Sequence, residues 1–228
     1  MTGFLGQLAA WFADGSHWSG TFGVPHRLAE HAAMSAAAVV VAAAIALPIG
    51  IGIGHRGRGG WLAVNLSNIG RAVPSLAILA LVQQAVGLRG WPGFGARPAF
   101  VALVALAVPP LVTNAYVGIR GVDRDVAEAA RGLGMTGLQL LWRVELPMAM
   151  PVVVAGLRTA SVQVVATATL AAVTAWGGLG RYIVDGFGQR DNVAVVAGAI
   201  LVGLLAVVTE VALGGLKRLV VPAGLRQA

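Results

Sequence analysis

The sequence contains no cysteine, which removes disulfides, thiolate metal sites and cysteine nucleophiles from consideration. It is also poor in charge. Asp, Glu, Lys and Arg make up 11% of its 228 residues, where a soluble domain carries about 25%. No lysine or arginine precedes Arg27, so the basic region of a cleavable export signal is missing. No segment has the form GxxxxGK[ST], and the glycine clusters GIGIG and GRGG carry no Lys-Ser/Thr. That excludes nucleotide hydrolysis by this chain. His17, His26, His31 and His55 are all its histidines. Neither they nor Asp185 and Asp191 sit beside a nucleophile motif or form a catalytic constellation.

What is abundant is apolar. Hydrophobic residues reach 57% and the mean hydropathy is +0.81. They come in blocks of about twenty, enough to cross a hydrocarbon core about 30 Å thick. Five spans are predicted, at about 31–54, 61–86, 99–119, 151–175 and 193–216. The second must borrow Asn65, Ser67 and Asn68 and contains Pro74; such residues are tolerated where they face protein or water. Ala, Gly, Ser and Thr dominate the spans and let helices approach closely. The expected fold class is an all-α polytopic membrane protein of about five transmembrane helices.

A pI near 11.4 and a formal charge of +7 suit nucleic acid, but arginine-rich cytoplasmic loops give the same values, and that reading is adopted. One side would hold Arg56, Arg58, Arg120, Arg124, Arg131, Arg143, Lys217, Arg218 and Arg226. The other would hold Arg27, Arg89, Arg97, Arg181 and Arg190. Nine against five places the first side in the cytoplasm, with the N-terminus outside and the C-terminus inside. Residues 1–30 are then an extracytoplasmic amphipathic segment in which Phe4, Leu5, Leu8, Trp11 and Phe12 share a helical face. It lies at the membrane surface with Trp11 and Trp18 at headgroup depth, or packs on the bundle's flank. Residues 31–216 form the transmembrane domain and 217–228 a cytoplasmic tail.

Residues 120–150, between the third and fourth spans, are more ordered than a connection requires. Asp123 is placed to cap a helix whose first turns carry Asp125 and Glu128. Ala127, Ala129 and Ala130 favour helix, and Gly134 sits where a left-handed residue would end it. Thr136 and Gln139 fit a capping box opening a second helix through Leu140, Leu141 and Trp142, which Leu146-Pro147 is expected to stop. Two short helices at an angle make a rigid knob.

The same stretch matches a signature. Glu128-Ala129-Ala130, three residues, Gly134, nine residues, Val144, one residue and Leu146-Pro147 resembles the EAA loop of ABC importer permeases, with Val in place of the usual Ile. The segments RAVPSLAILA, VPPLVTNAYVGIRGVDRDVAEAARGLGMT, VELPMAMPVVVAGLRTA and GGLGRYI are similar to permeases of the glycine betaine, carnitine and choline importers. The resemblance covers residues 31 to about 190 and implies the type I (MetI-like) permease fold. It also implies the partners: two copies of a cytoplasmic ABC ATPase, a second permease subunit (the same chain or a paralogue) and an extracytoplasmic binding protein. No cofactor is implied on this chain; ATP and Mg belong to the ATPase. Carried over by position, Asp125, Glu128, Ala129, Ala130, Arg131, Gly134, Met135, Leu146 and Pro147 form the ATPase-docking element. Alternatively, Glu128 pairs with Arg124 or Arg131 along its own helix, for about 0.3–0.5 kcal/mol.

Arg71, Arg158 and Glu210 fall inside predicted spans. An intramembrane charge needs a partner, so Glu210 is expected to pair with Arg158 or Arg71 as a structural lock. Thr113, Asn114, Gln163, Thr167 and Thr169 are uncharged and lie in spans three and four. They are candidates to line a polar path, or hydrogen-bond between helices. Trp61, Trp91, Trp176 and Tyr182 read as interfacial belt residues. A methionine or other amino-acid importer permease is the alternative within the class; an ATP-independent channel and a membrane enzyme lie outside it.

Overall fold

Val73 and Pro74 divide the second apolar stretch. A computed structural model describes residues 3–220, apart from the side chains at 62, 63, 66, 71 and 216–220. In it the expected helix over 61–86 is two, α3 (Gly60–Ala72) and α4 (Ser75–Leu88), after α1 (Phe4–Ala13) and α2 (Val24–Arg56). Val73 is extended, with φ −77° and ψ 125°, because a residue before proline is driven out of the α region. The fourteen residues of α4 rise only about 21 Å, so neither piece is a full-length span.

Beyond them come α5 (Ala96–Arg120), α6 (Arg124–Gly132), α7 (Gly137–Leu140), α8 (Leu146–Thr167), α9 (Gly180–Gln189) and α10 (Asn192–Val220). No strand occurs among the described residues. Among the described residues, four helical stretches are long and apolar enough to cross a membrane: Val24–Arg56, Ala96–Arg120, Gly137–Thr174 and Asn192–Gly215. The first begins seven residues earlier than predicted, because Val24-Pro25 opens a helix despite the polar residues that follow. Proline in a first turn costs no backbone hydrogen bond. The tail from 221 lies outside the described residues.

The chain forms two compact units, 1–39 with 74–104 and 162–208, and 40–73 with 105–161 and 209–228. In the first, Trp11 of α1 is buried in a cluster with Val24 and Ala197, against Leu8, Phe12, Tyr182, Val193 and Leu201. Its ring meets Tyr182 edge-on at 5.5 Å and stacks on His17 at 4.2 Å. Trp11 thus packs against the protein, the second of its two expected placements, while Phe4 and Leu5 of the same helix stay exposed. The turn after α1 is closed by Asp14, which accepts the Ser16 amide at 2.9 Å; that bond holds the Asp14 carboxyl below the ordinary carboxylate range.

In the second unit, the parts of α2, α5 and α8 that belong to it pack together. Ile119, Ala149 and Val153 form its core cluster, packed by Leu47, Ile51, Leu141 and Leu146. Ser67 of α3 donates to the Pro109 carbonyl of α5 at 2.9 Å. That bond uses one of the polar residues that weakened the second span as a sequence signal.

Candidate functional site: a polar elbow between two long helices

The segment between α5 and α8 is built from local signals. Asp123 caps α6, its carboxylate accepting the Asp125 amide at 2.8 Å. Asp125 lies in the first turn and Arg131 in the last, both on the favourable side of the helix dipole. The helix ends in a Schellman motif: Met135 N–H donates to the Ala130 carbonyl and Gly134 N–H to that of Arg131, at 3.2 and 2.9 Å. Gly134 supplies the left-handed residue, with φ +83°. Thr136 and Gln139 then close both halves of a capping box, at 3.3 and 2.9 Å. These bonds close the bend between residues of the segment itself.

Leu146-Pro147 does not stop the second helix as expected. A wide π-type turn over Leu141–Glu145 carries the chain from α7 into α8. Pro147, which has no N–H to continue the helical ladder, follows directly on that widened turn. The elbow's second limb is thus continuous with a long helix.

Ala130 is buried at 6% exposure and Leu140 fully, anchoring each limb from beneath. Glu128 and Ala129 are exposed, and among the described residues Glu128 makes no ion pair. The alternative pairing with Arg124 or Arg131 does not form; instead these side chains line one cleft with Arg120, His55 and Glu145. Sequence reasoning missed the elbow's apolar surface. Leu133, Leu138 and Trp142 are 82%, 66% and 61% exposed, a signal readable as large apolar residues inside a polar loop. It also missed His55 and Glu145, whose side chains meet with Nδ1 2.5 Å from Oε2.

Away from the elbow, Arg158 Nη2 donates to Glu210 Oε1 at 2.7 Å. The Arg71 side chain lies outside the described residues. The uncharged candidates bond within their own helical segments. Thr113 donates to the Pro109 carbonyl at 3.1 Å, Asn114 to Pro110 at 2.8 Å, Thr167 to Gln163 at 2.7 Å and Thr169 to Ala166 at 2.9 Å. Gln163 itself is exposed. Of the two expectations for this set, the bonds between helices are replaced by local ones, which let a polar side chain sit in an apolar span without a neighbour.

Trp176, read as a belt residue, has a protein setting as well. It lines a recess of about 520 Å³ with Phe100, Met34, Arg97 and Glu30, and among the described residues its buried indole N–H finds no acceptor. Glu30 is held at the edge by Arg27 at 2.9 Å and the Gly178 amide at 2.8 Å, which accounts for the paired glycines of GGLGRYI.

Long apolar helices joined by a rigid polar elbow define a membrane-embedded component that offers one preformed surface outside its spans. The chain belongs to the family of binding-protein-dependent transport system inner membrane components, which it matches over residues 25–222. It is 35% identical over 201 residues to the glycine betaine/carnitine/choline transport system permease protein OpuCB of Bacillus subtilis (strain 168), covering 88% of this chain and 90% of that one. It is 39% identical over 165 residues to the carnitine transport permease protein OpuCB of Listeria monocytogenes, covering 72% and 73%. Among solved structures it resembles a chain of the MetNI methionine ABC transporter in an inward-facing conformation, with a TM-score of 0.75, 21% identity and coverage of 87% and 96%. At that identity the likeness is one of fold, that of the MetI-like type I importer permeases.

Proposed function

We propose that this chain is the permease subunit of an ATP-driven importer of osmoprotectants such as glycine betaine, choline or carnitine, and that α6 with its Schellman turn is where a separate ATPase docks. The elbow carries the reading. It presents an unpaired carboxylate, Glu128, beside exposed Leu133, Leu138 and Trp142, on a support whose hydrogen bonds are already closed. Exposed apolar side chains, a tryptophan among them, are what a groove on a soluble partner takes up. Power comes from that partner, solute from a binding protein, and a second permease completes the pathway. In this reading the elbow and the C-terminus face the cytoplasm and the N-terminus the outside, the arrangement that the arginine distribution favours.

The cargo follows from the relatives' substrates and from one feature of this chain. The recess at Trp176 and Phe100 offers aromatic faces and the Met34 thioether. A trimethylammonium group is attracted to such faces, by about 0.5–2 kcal/mol per ring.

Glu128→Arg is expected to abolish copurification of the ATPase with the tagged permease and to reduce betaine uptake to background. Gly134→Val, which forces a β-branched residue into a left-handed conformation at roughly 1–2 kcal/mol, should weaken both without unfolding the spans. Pull-down from membranes and radiolabelled uptake in proteoliposomes check this. Normal ATPase retention by Glu128→Arg would remove the docking assignment, and methionine uptake without betaine uptake would favour the amino-acid alternative.

A further inference from the structure

The cleft beneath the elbow contains a pair that the docking surface does not use. Glu145 ends the wide turn before α8 and is 6% exposed. His55 lies in the last turn of α2. Their side chains meet across 90 positions of sequence, Nδ1 to Oε2 at 2.5 Å. A carboxylate buried to this degree is costly unless paired, and His55 is the group that pairs it. Arg120, Arg124, Glu128 and Arg131 are the other charged residues lining the cleft.

The geometry explains why Glu145 points inward. A π-type turn inserts one residue into the helical repeat and rotates the side chains that follow by about 100°. Such turns cluster at functional sites. Apolar contacts run parallel to the polar one: Leu141 and Leu146 of the elbow's second limb pack on the cluster that also takes Leu47 and Ile51 of α2. The end of α2 is therefore fastened to the elbow's second limb at its widened turn, by a polar strut beside an apolar bed.

We infer that the His55–Glu145 pair transmits the elbow's displacement to α2, making both positioning residues for energy coupling rather than for ATPase binding. This rests on the docking reading above. Because the strut works by holding two elements at a fixed separation, its loss uncouples. The ATPase stays bound and hydrolyses ATP, while the first long helix no longer follows.

The test uses the complete importer, with its ATPase and binding protein, in proteoliposomes. His55→Ala and Glu145→Gln are expected to retain the ATPase on purification yet move at least tenfold less betaine per ATP hydrolysed. His55→Gln, which keeps a hydrogen-bond donor opposite Glu145, should recover part of that ratio. The chain has no cysteine, so a His55→Cys/Glu145→Cys variant can be bridged by a short cleavable thiol cross-linker. Bridged, it should transport with restored coupling; cleaved, it should uncouple like the single variants. An unchanged ratio in the single variants, or arrest of transport by the bridge, overturns the proposal. Should the single variants fail to assemble, the bridged variant still decides. ATPase retention by Glu128→Arg would instead strike the docking reading, so the two failures are distinguishable.

Discussion

Gly156→Leu is expected to lower the thermal midpoint of the purified chain by roughly 5 °C or more, while Gly52→Ala leaves it unchanged or raises it. Both glycines lie within long helices, and they differ in what a side chain would meet. A Cβ on Gly156 of α8 would lie 2.3 Å from the Asn114 Cβ and 2.7 Å from its Cγ. Asn114 cannot swing aside freely, because its amide donates to the Pro110 carbonyl at 2.8 Å. Forcing extra atoms into such a crossing costs about 1–3 kcal/mol, and leucine adds more than alanine. At Gly52 of α2 nothing lies within 4 Å of a Cβ, so the substitution keeps only the helix-propensity gain, about 0.8–1 kcal/mol. Size-exclusion after heating in a fixed detergent gives both midpoints. Equal behaviour of the two variants would show that the α5–α8 crossing does not depend on the missing side chain.

Small residues recur at these crossings because membrane helices have no hydrophobic effect to drive them together; close backbone approach and dispersion must do it. Gly50 of α2 would place a Cβ 2.6 Å from the Val112 carbonyl, and Gly54 one 2.8 Å from the Ile119 Cβ. The run AVVVAAAIALPIGIGIG is thus legible in the sequence as a packed helix, although which residues it meets is not.

The elbow was legible because its determinants are local. Asp123, Gly134, Thr136 and Gln139 act within five positions of themselves, and each performs the backbone task its residue type suggests. The second limb was not, since Pro147 reads as a stop unless the preceding turn widens, and nothing in the pattern LWRVE announces that it does. The same widened turn hid Glu145, whose inward direction breaks a 3.6-residue period. Trp11 was left between two placements for a different reason: its neighbours Tyr182 and Ala197 are remote in sequence, and an aromatic near a span's outer end otherwise suggests lipid. Trp176 likewise acquires its setting only when Met34 and Phe100 are brought beside it.

The Arg158–Glu210 pair was accessible from sequence, because Glu210 is the one carboxylate within the predicted spans and arginines lie at matching depth. Removing either partner is expected to be severe, and removing both mild. The two side chains are 44% and 42% exposed on the isolated chain. In a bilayer that exposure is to hydrocarbon, to a second permease or to a narrow aqueous path, none of which solvates an ion as bulk water does. An unpaired charge at such a site costs about 2.5–3.5 kcal/mol. Glu210→Ala and Arg158→Ala should therefore each sharply reduce folded permease in membranes, while the double variant recovers most of it, because it deletes the desolvated charges together with their attraction. The amount of folded permease extracted from membranes, followed through a double-mutant cycle, measures the coupling. The kinetics separate structure from cargo recognition: with a structural lock, the double variant imports betaine at an unchanged half-saturating concentration, whereas a substrate contact would raise it. Additive losses in the cycle would mean that the two charges are solvated independently, and the lock would then have to be given up.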